Sequence, residues 1–160
     1  MTVKTVNSRV LDADNTPGTV GGTVGPTLAL TLGTPATFAP FTPGIDGTYS
    51  ASTNATVVST AGDAALSVAD PSSVNTGKLM NGTFTLAQAL QAQATSPGGT
   101  GSAFAPVGGS ANPTTLLTYT APKSNDVVAI GFKQIIGRTE GLRTGAYSKT
   151  LTFTLSTTTP

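Results

Sequence analysis

The chain has 160 residues, a formal net charge of +1 and only 9% charged residues, against roughly 25% in an ordinary globular domain. That balance gives no electrostatic footprint for nucleic acid or for an acidic membrane surface. Cys, His and Trp are absent, which excludes disulfides, the usual zinc, haem and iron–sulfur sites, and Ser-His-Asp or Cys-His catalysis.

What remains is rich in Thr, which is β-branched and favours strands, and in Gly (19) and Pro (11), which punctuate them. The composition therefore reads all-β. No apolar run reaches the roughly 18 residues needed to span a bilayer, so no membrane insertion is expected. The start, Met1-Thr2-Val3-Lys4, has no apolar signal core, so an exported form would be a mature or trimmed one. The absence of cysteine does not by itself place the chain in a reducing compartment.

Residues 1–26 read as an extended N-terminal segment, polar and Gly/Thr-rich, with valines at Val3, Val6, Val10, Val20 and Val24. These valines are too sparse for a self-sufficient strand pair, yet spaced to lie along an open sheet edge. They are the candidate subunit contacts in a strand-exchange arrangement. The breaks at Gly21-Gly22 and Gly25-Pro26 would let the segment swing away from its own domain. A tail, or pairing with its own domain, is the open alternative. Asp12, Asp14 and Asn15 ahead of Gly18 resemble the start of a calcium loop, but the next carboxylate is Asp46, so an ordinary Asx turn competes with calcium here. No cofactor is expected.

Residues 27–160 read as one domain. Thr27–Leu32 alternates three leucines onto one face. Ala36–Gly44 carries Phe38 and Phe41 among prolines that forbid a central strand, so it is a surface crossing or an edge. Tyr49–Thr60 and Ala64–Asp70, joined by Ala61-Gly62-Asp63, form the best hairpin signal in the chain. Residues 71–78 are a loop, and Leu79-Met80 leads through Asn81-Gly82 into Phe84-Thr85-Leu86. Ala87–Ala94 fits a helix by composition but also alternates at Leu90, Ala92 and Ala94; a turn followed by a strand is expected. Residues 95–113 form a long Gly/Ser/Pro loop anchored by Phe104 and Val107. Thr114–Thr120 is a strand, Asn125-Asp126 a turn, and Asp126–Ile136 a strand with Val128, Ile130 and Phe132 inward. Arg138, Glu140 and Arg143 concentrate the charge, and read as a solvated hairpin loop, with contact to an anionic glycan as the alternative.

The best strand comes last. In Tyr147–Ser156, Tyr147, Leu151, Phe153 and Leu155 share one face, with Lys149 as the exception that a long stem could carry to water. This strand is expected to close a sheet, with its apolar face largely buried. The total is eight to nine strands in a two-sheet antiparallel β-sandwich or jelly roll.

The blocks Thr27–Thr34, Ala55–Asp70, Phe104–Tyr119, Ile130–Gly137 and Arg143–Thr157 resemble a group of secreted actinobacterial surface domains. Their hallmarks are a leading Leu-x-Leu-x-Leu-Gly strand, a Val-Ser-Thr-Ala-Gly-Asp-Ala turn and a closing Tyr-Ser-Lys-Thr-Leu-Thr-Phe-Thr-Leu-Ser strand. In layout the chain is also similar, more distantly, to WxL-type wall-binding domains and TasA-like fibre subunits, though without Trp the WxL signature is not met. The resemblance implies an extracellular, cell-surface β-sandwich of unknown function, with no known reaction.

Candidate chemistry is thin. Asp46, Asp63, Asp70, Asp126 and Glu140 are dispersed, whereas a glycosidase needs two carboxyls facing each other across a cleft. Gly98-Gly99-Thr100-Gly101 lacks the Lys and the helix of a phosphate loop. The reading is a non-catalytic structural protein, a self-assembling surface fibre or layer subunit, pilus-like in use and partnered by copies of itself as a homo-oligomer or polymer. Cell-wall or glycan contact is compatible with this. The alternatives are a glycan- or ligand-binding module, disfavoured by three Tyr and no Trp, and a phage virion decoration or tail protein. Since calcium at Asp12, Asp14 and Asn15 is the one metal reading, its test is direct. The melting temperature should not respond to millimolar calcium; a rise that EDTA reverses would overturn this.

Overall fold

Strand positions follow the alternation of apolar and hydroxyl side chains, but sheet membership does not follow chain order. The computed structural model describes residues 19–23, 25 and 27–157, and these contain no helix. Twelve strands are present: β1 (Leu28–Leu32), β2 (Gly47–Ser59), β3 (Ala64–Asp70), β4 (Met80–Asn81), β5 (Phe84–Thr85), β6 (Gln91–Thr95), β7 (Thr100–Gly101), β8 (Ala105–Pro106), β9 (Gly108–Gly109), β10 (Thr114–Tyr119), β11 (Lys123–Ile136) and β12 (Thr152–Ser156). The expected eight to nine is thus exceeded, because five of these are two-residue strands that alternation over four or more residues does not register.

One five-stranded sheet has the order β1-β2-β11-β6-β8. The other runs β12-β3-β10-β7, with β9 pairing parallel to β3; β4 and β5 form a separate small ribbon. All the other pairings are antiparallel. The inward faces of the two large sheets share one core, built from Val57, Leu66, Val68, Leu116, Val128 and Ile130, all fully buried. The longest ladder joins β2 to β11, from Gly47↔Ile136 to Val57↔Asp126, between segments far apart in sequence.

Several expectations are corrected. The run Tyr49–Asp70 is not a hairpin, since β2 and β3 lie in different sheets and Ala61-Gly62-Asp63 carries the chain across. Ala61 is buried at that corner, and its N–H donates to Ser59 Oγ at 3.3 Å, so the turn packs against the core. The turn before β11 falls at residues 120–122, while Asn125 sits inside the strand at a left-handed φ of 53°, where the register with β2 shifts. Residues 95–113 are no structureless loop: they hold β7, β8 and β9, and Val107 is buried as an anchor. Residues 137–151 link β11 to β12 across the two sheets, so Arg138, Glu140 and Arg143 do not lie in a hairpin loop.

Two expectations hold in detail. β6 follows a non-helical stretch, with Ala92 and Ala94 inward, and residues 35–42 form no strand while Ala36, Phe38 and Phe41 pack on the core.

The last strand departs from its expected role. β12 pairs only with β3 and stands at the end of its sheet, so it is an edge and closes nothing among the described residues. Tyr147, Leu151, Phe153 and Leu155 do face the core, but each is only half-buried. β1 is likewise an edge, and its Leu28 and Leu32 are 41% and 47% exposed. Before it, Thr19–Thr23 and Gly25 are exposed.

Edge burial should show in stability. Leu66→Ala, in the centre of the core, should cost about 2–5 kcal/mol, and Phe153→Ala about 2 kcal/mol, less than the roughly 3–5 kcal/mol of a fully enclosed phenylalanine. Chemical denaturation of both variants checks the order, and an equal or larger loss for Phe153→Ala would contradict the half-open edge.

Candidate functional site

The feature with functional potential is an apolar groove of about 740 Å³ on the flank where β1 and β12 form neighbouring edges. One wall is the proline-rich strap after β1, from Gly33 through Pro43. The other is the segment 142–149 leading into β12, and Leu79, Leu90 and Phe132 contribute core side chains. The strap takes its path because Pro35, Pro40 and Pro43 cannot serve a ladder, while Ala36 and Phe38 keep the two-residue spacing that turns both inward.

Aromatic rings line the groove. Phe41 packs at 5.8 Å from Phe38, 4.8 Å edge-on to Tyr49 and 6.2 Å from Tyr147; Phe132 meets Phe153 edge-on at 6.4 Å. Such tilted and edge-on pairs are preferred ring geometries. The tyrosine hydroxyls serve the backbone: Tyr49 OH accepts from Thr42 N–H at 2.8 Å and Tyr147 OH from Arg143 N–H at 2.7 Å. The two tyrosines therefore hold the walls in place.

The second wall is anchored by a buried ion pair. Lys149 Nζ lies 2.9 Å from Asp70 Oδ2, with side chains 7% and 0% accessible. Lys149 does not reach water, as its sequence position suggested; it turns into the protein. Its ammonium also donates to the carbonyl of Val74 at 2.8 Å and approaches that of Asn75 at 3.4 Å. Asp70 accepts from Ser72 N–H at 2.8 Å and Gly77 N–H at 2.7 Å. Burial pushes the Asp70 carboxyl up, but the bonds from Gly77, Lys149 and Ser72 outweigh it and hold the group below its usual value. Gly77 has a φ of +73°, and a Cβ there would collide with the Val107 carbonyl, so this donor has to come from glycine. Ser148 next door pairs with Met80 through two backbone hydrogen bonds. Gly145, at φ +130°, passes close to the Asn81 side chain, whose Nδ2 donates to the Thr144 carbonyl at 3.2 Å.

The remaining polar candidates have structural partners. Asp46 accepts from Arg138 N–H at 2.8 Å, Asp63 from Thr157 Oγ1 at 2.7 Å, and Glu140 from Ala87 N–H at 2.6 Å. Tyr119 OH donates to Asp126 at 2.9 Å, and burial, followed by that carboxylate, pushes the tyrosine up to about 12. Arg143 stacks its guanidinium 3.3 Å from the Phe84 ring centroid. Gln134 is fully buried with Nε2 donating to the Gln88 and Ile135 carbonyls, and its Oε1 has no partner among the described residues. Among the described residues no group of three or more Asp and Glu could hold a metal.

Of the sequence-predicted site residues, Val3, Val6, Val10 and Val24, and the calcium candidates Asp12, Asp14 and Asn15, lie outside the described residues. Val20 is described and fully exposed. The groove itself was missed. Its signal is the cluster of Phe38 and Phe41 among prolines, which by sequence reads only as a surface crossing or an edge. Among the described residues no helix is long and apolar enough to cross a membrane. No protein-family model, curated protein or solved structure matches the chain.

The ion pair sets a test. With Asp70 depressed in the folded state, its contribution is complete above the unfolded value of about 3.8 and is lost as pH falls through the folded value. Lys149→Met should cost about 3–5 kcal/mol near pH 7, because it leaves a buried carboxylate without its countercharge. That deficit should narrow on acidification as Asp70 takes up a proton. Denaturant unfolding at pH 7 and pH 3 measures both, and a deficit that does not change with pH would contradict the assignment.

Proposed function

We propose that this chain is a non-catalytic extracellular structural protein, a jelly-roll subunit that assembles with copies of itself into a surface fibre or layer. The observation that carries the reading is the pair of open edges on one flank. β1 (Leu-Ala-Leu-Thr-Leu) and β12 (Thr-Phe-Thr-Leu-Ser) each lack an outer partner among the described residues, and neither carries a charge or a proline. Edges of soluble monomers are normally blunted by lysines, prolines or bulges, so two unprotected edges beside an apolar groove suit strand addition. The low overall charge supports the same reading, since little repulsion opposes close packing of copies. The resemblance to secreted surface domains supports the extracellular placement.

A ligand-binding module is the second reading, favoured by the aromatic groove. It is weakened because the Tyr49 and Tyr147 hydroxyls are already used by the backbone. A virion decoration or tail subunit would assemble by the same physics in a different setting.

Light scattering across a concentration series, with electron microscopy of the purified chain, tests assembly. Multimers that grow with concentration are expected, and a monodisperse monomer at every concentration would overturn the proposal.

A further inference from the structure

The groove and the edges beside it define what would fit between them. Along this flank, residues that point at the core stop short of full burial: Leu30, Phe38, Leu151, Phe153 and Leu155 are all partly open. A gap lined by inward-facing but half-exposed side chains, beside a strand edge without a partner among the described residues, offers a place for one more extended segment. A small apolar ligand would bury the rings yet leave the outer main-chain groups of β12 unpaired. An anionic ligand would find a single available cation, because of the two charged lining residues Lys149 is bound to Asp70 and only Arg143, stacked on Phe84, keeps its N–H donors. A neutral, extended stretch of polypeptide satisfies both demands: main chain for the edge, alternate apolar side chains for the groove.

The protein carries such a stretch outside its described residues. Val6 and Val10 would share one face of an extended chain, with Val3 and Leu11 on the other. The part of this segment that is described leaves its own sandwich. Val20 is fully exposed, and a Cβ placed at Gly21, Gly22 or Gly25 would meet nothing within 4 Å. β1 begins at Leu28, beside Ser59, and the groove is lined by Leu32 at the other end, about 13 Å further along the strand; a segment of this length reaches its own groove or a neighbour's, and the cross-linking below separates the two.

We infer that the groove receives the N-terminal segment of a second copy, laid as a strand against the outer edge of β12 with Val6 and Val10 turned into the apolar gap. This rests on the assembly reading above and names the surfaces that carry it. Each copy would then offer one segment and one groove, a head-to-tail contact that propagates into a filament unless its rotation closes a ring.

The absence of cysteine allows a direct test in the full chain. Chains carrying Val10→Cys and chains carrying Leu32→Cys are mixed and oxidised. The control mixture replaces the second variant with Val127→Cys, an exposed position on the outer face of β11. Cross-linked pairs should form at least tenfold faster between Val10→Cys and Leu32→Cys than in the control. In parallel, Leu32→Arg, at a half-exposed position that should tolerate the change, should weaken assembly at least tenfold in light scattering without moving the melting temperature. Equal cross-linking rates in the two mixtures, with assembly intact, would overturn this inference and leave the assembly reading standing. A double variant that cross-links only within one chain would likewise overturn it, by placing the segment in its own groove. Absence of any multimer would remove both.

Discussion

A lysine on the apolar face of a strand has to be neutralised or led to water, and in this protein it is neutralised. The Asp70–Lys149 pair joins the end of β3 to the approach to β12, and loop 71–78 wraps around it through the Val74 carbonyl and the Ser72 and Gly77 amides. Buried pairs of this kind add little net stability compared with an apolar replacement, but breaking one is costly, so their main effect is to hold segments in place. Here the segment held is 142–151. Pinned to the β3 side, it forms one wall of the groove and the strap after β1 the other, and the two meet where Tyr147 packs on Phe41.

β1 and β12 are edges without an outer partner among the described residues, and their inward residues Leu30, Phe153 and Leu155 are only partly buried against the core. The β2–β11 ladder runs behind the groove, Tyr49 ties the strap to β2 through the Thr42 amide, and Tyr147 holds its own wall through the Arg143 amide. A cleft beside an uncharged edge is suited to a main-chain partner, because shape and ladder hydrogen bonds act together without a specific reactive group. The carboxylates that could have suggested chemistry are instead hydrogen-bonded to amides, a threonine hydroxyl, a tyrosine hydroxyl and a lysine, where they hold turns and crossings.

Much of the fold was legible from period-two patterning. The inward faces of β2, β3, β6, β11 and β12 are the ones their alternation indicates, and the prolines correctly kept residues 35–43 out of a central strand. The site was less legible. Phe38 and Phe41 could be recognised as core-directed, but nothing local showed that the layer above them stays open. Asp70 reads as an isolated carboxylate at a strand end and Lys149 as a solvent-seeking residue, since each looks so until the other is seen beside it.

The sequence by itself determined where the longer strands run and which of their faces is apolar, and that no cysteine, histidine or tryptophan chemistry is available. Only the tertiary structure decided which sheet each strand joins and where the edges fall. Ala61-Gly62-Asp63 illustrates the reason: a tight turn between two alternating runs serves equally for a hairpin and for a corner between sheets, because alternation is a property of neighbours in the chain. Pairing across a sheet, and the burial that follows from it, is set by partners dozens of residues away, such as β11 for β2 and Lys149 for Asp70.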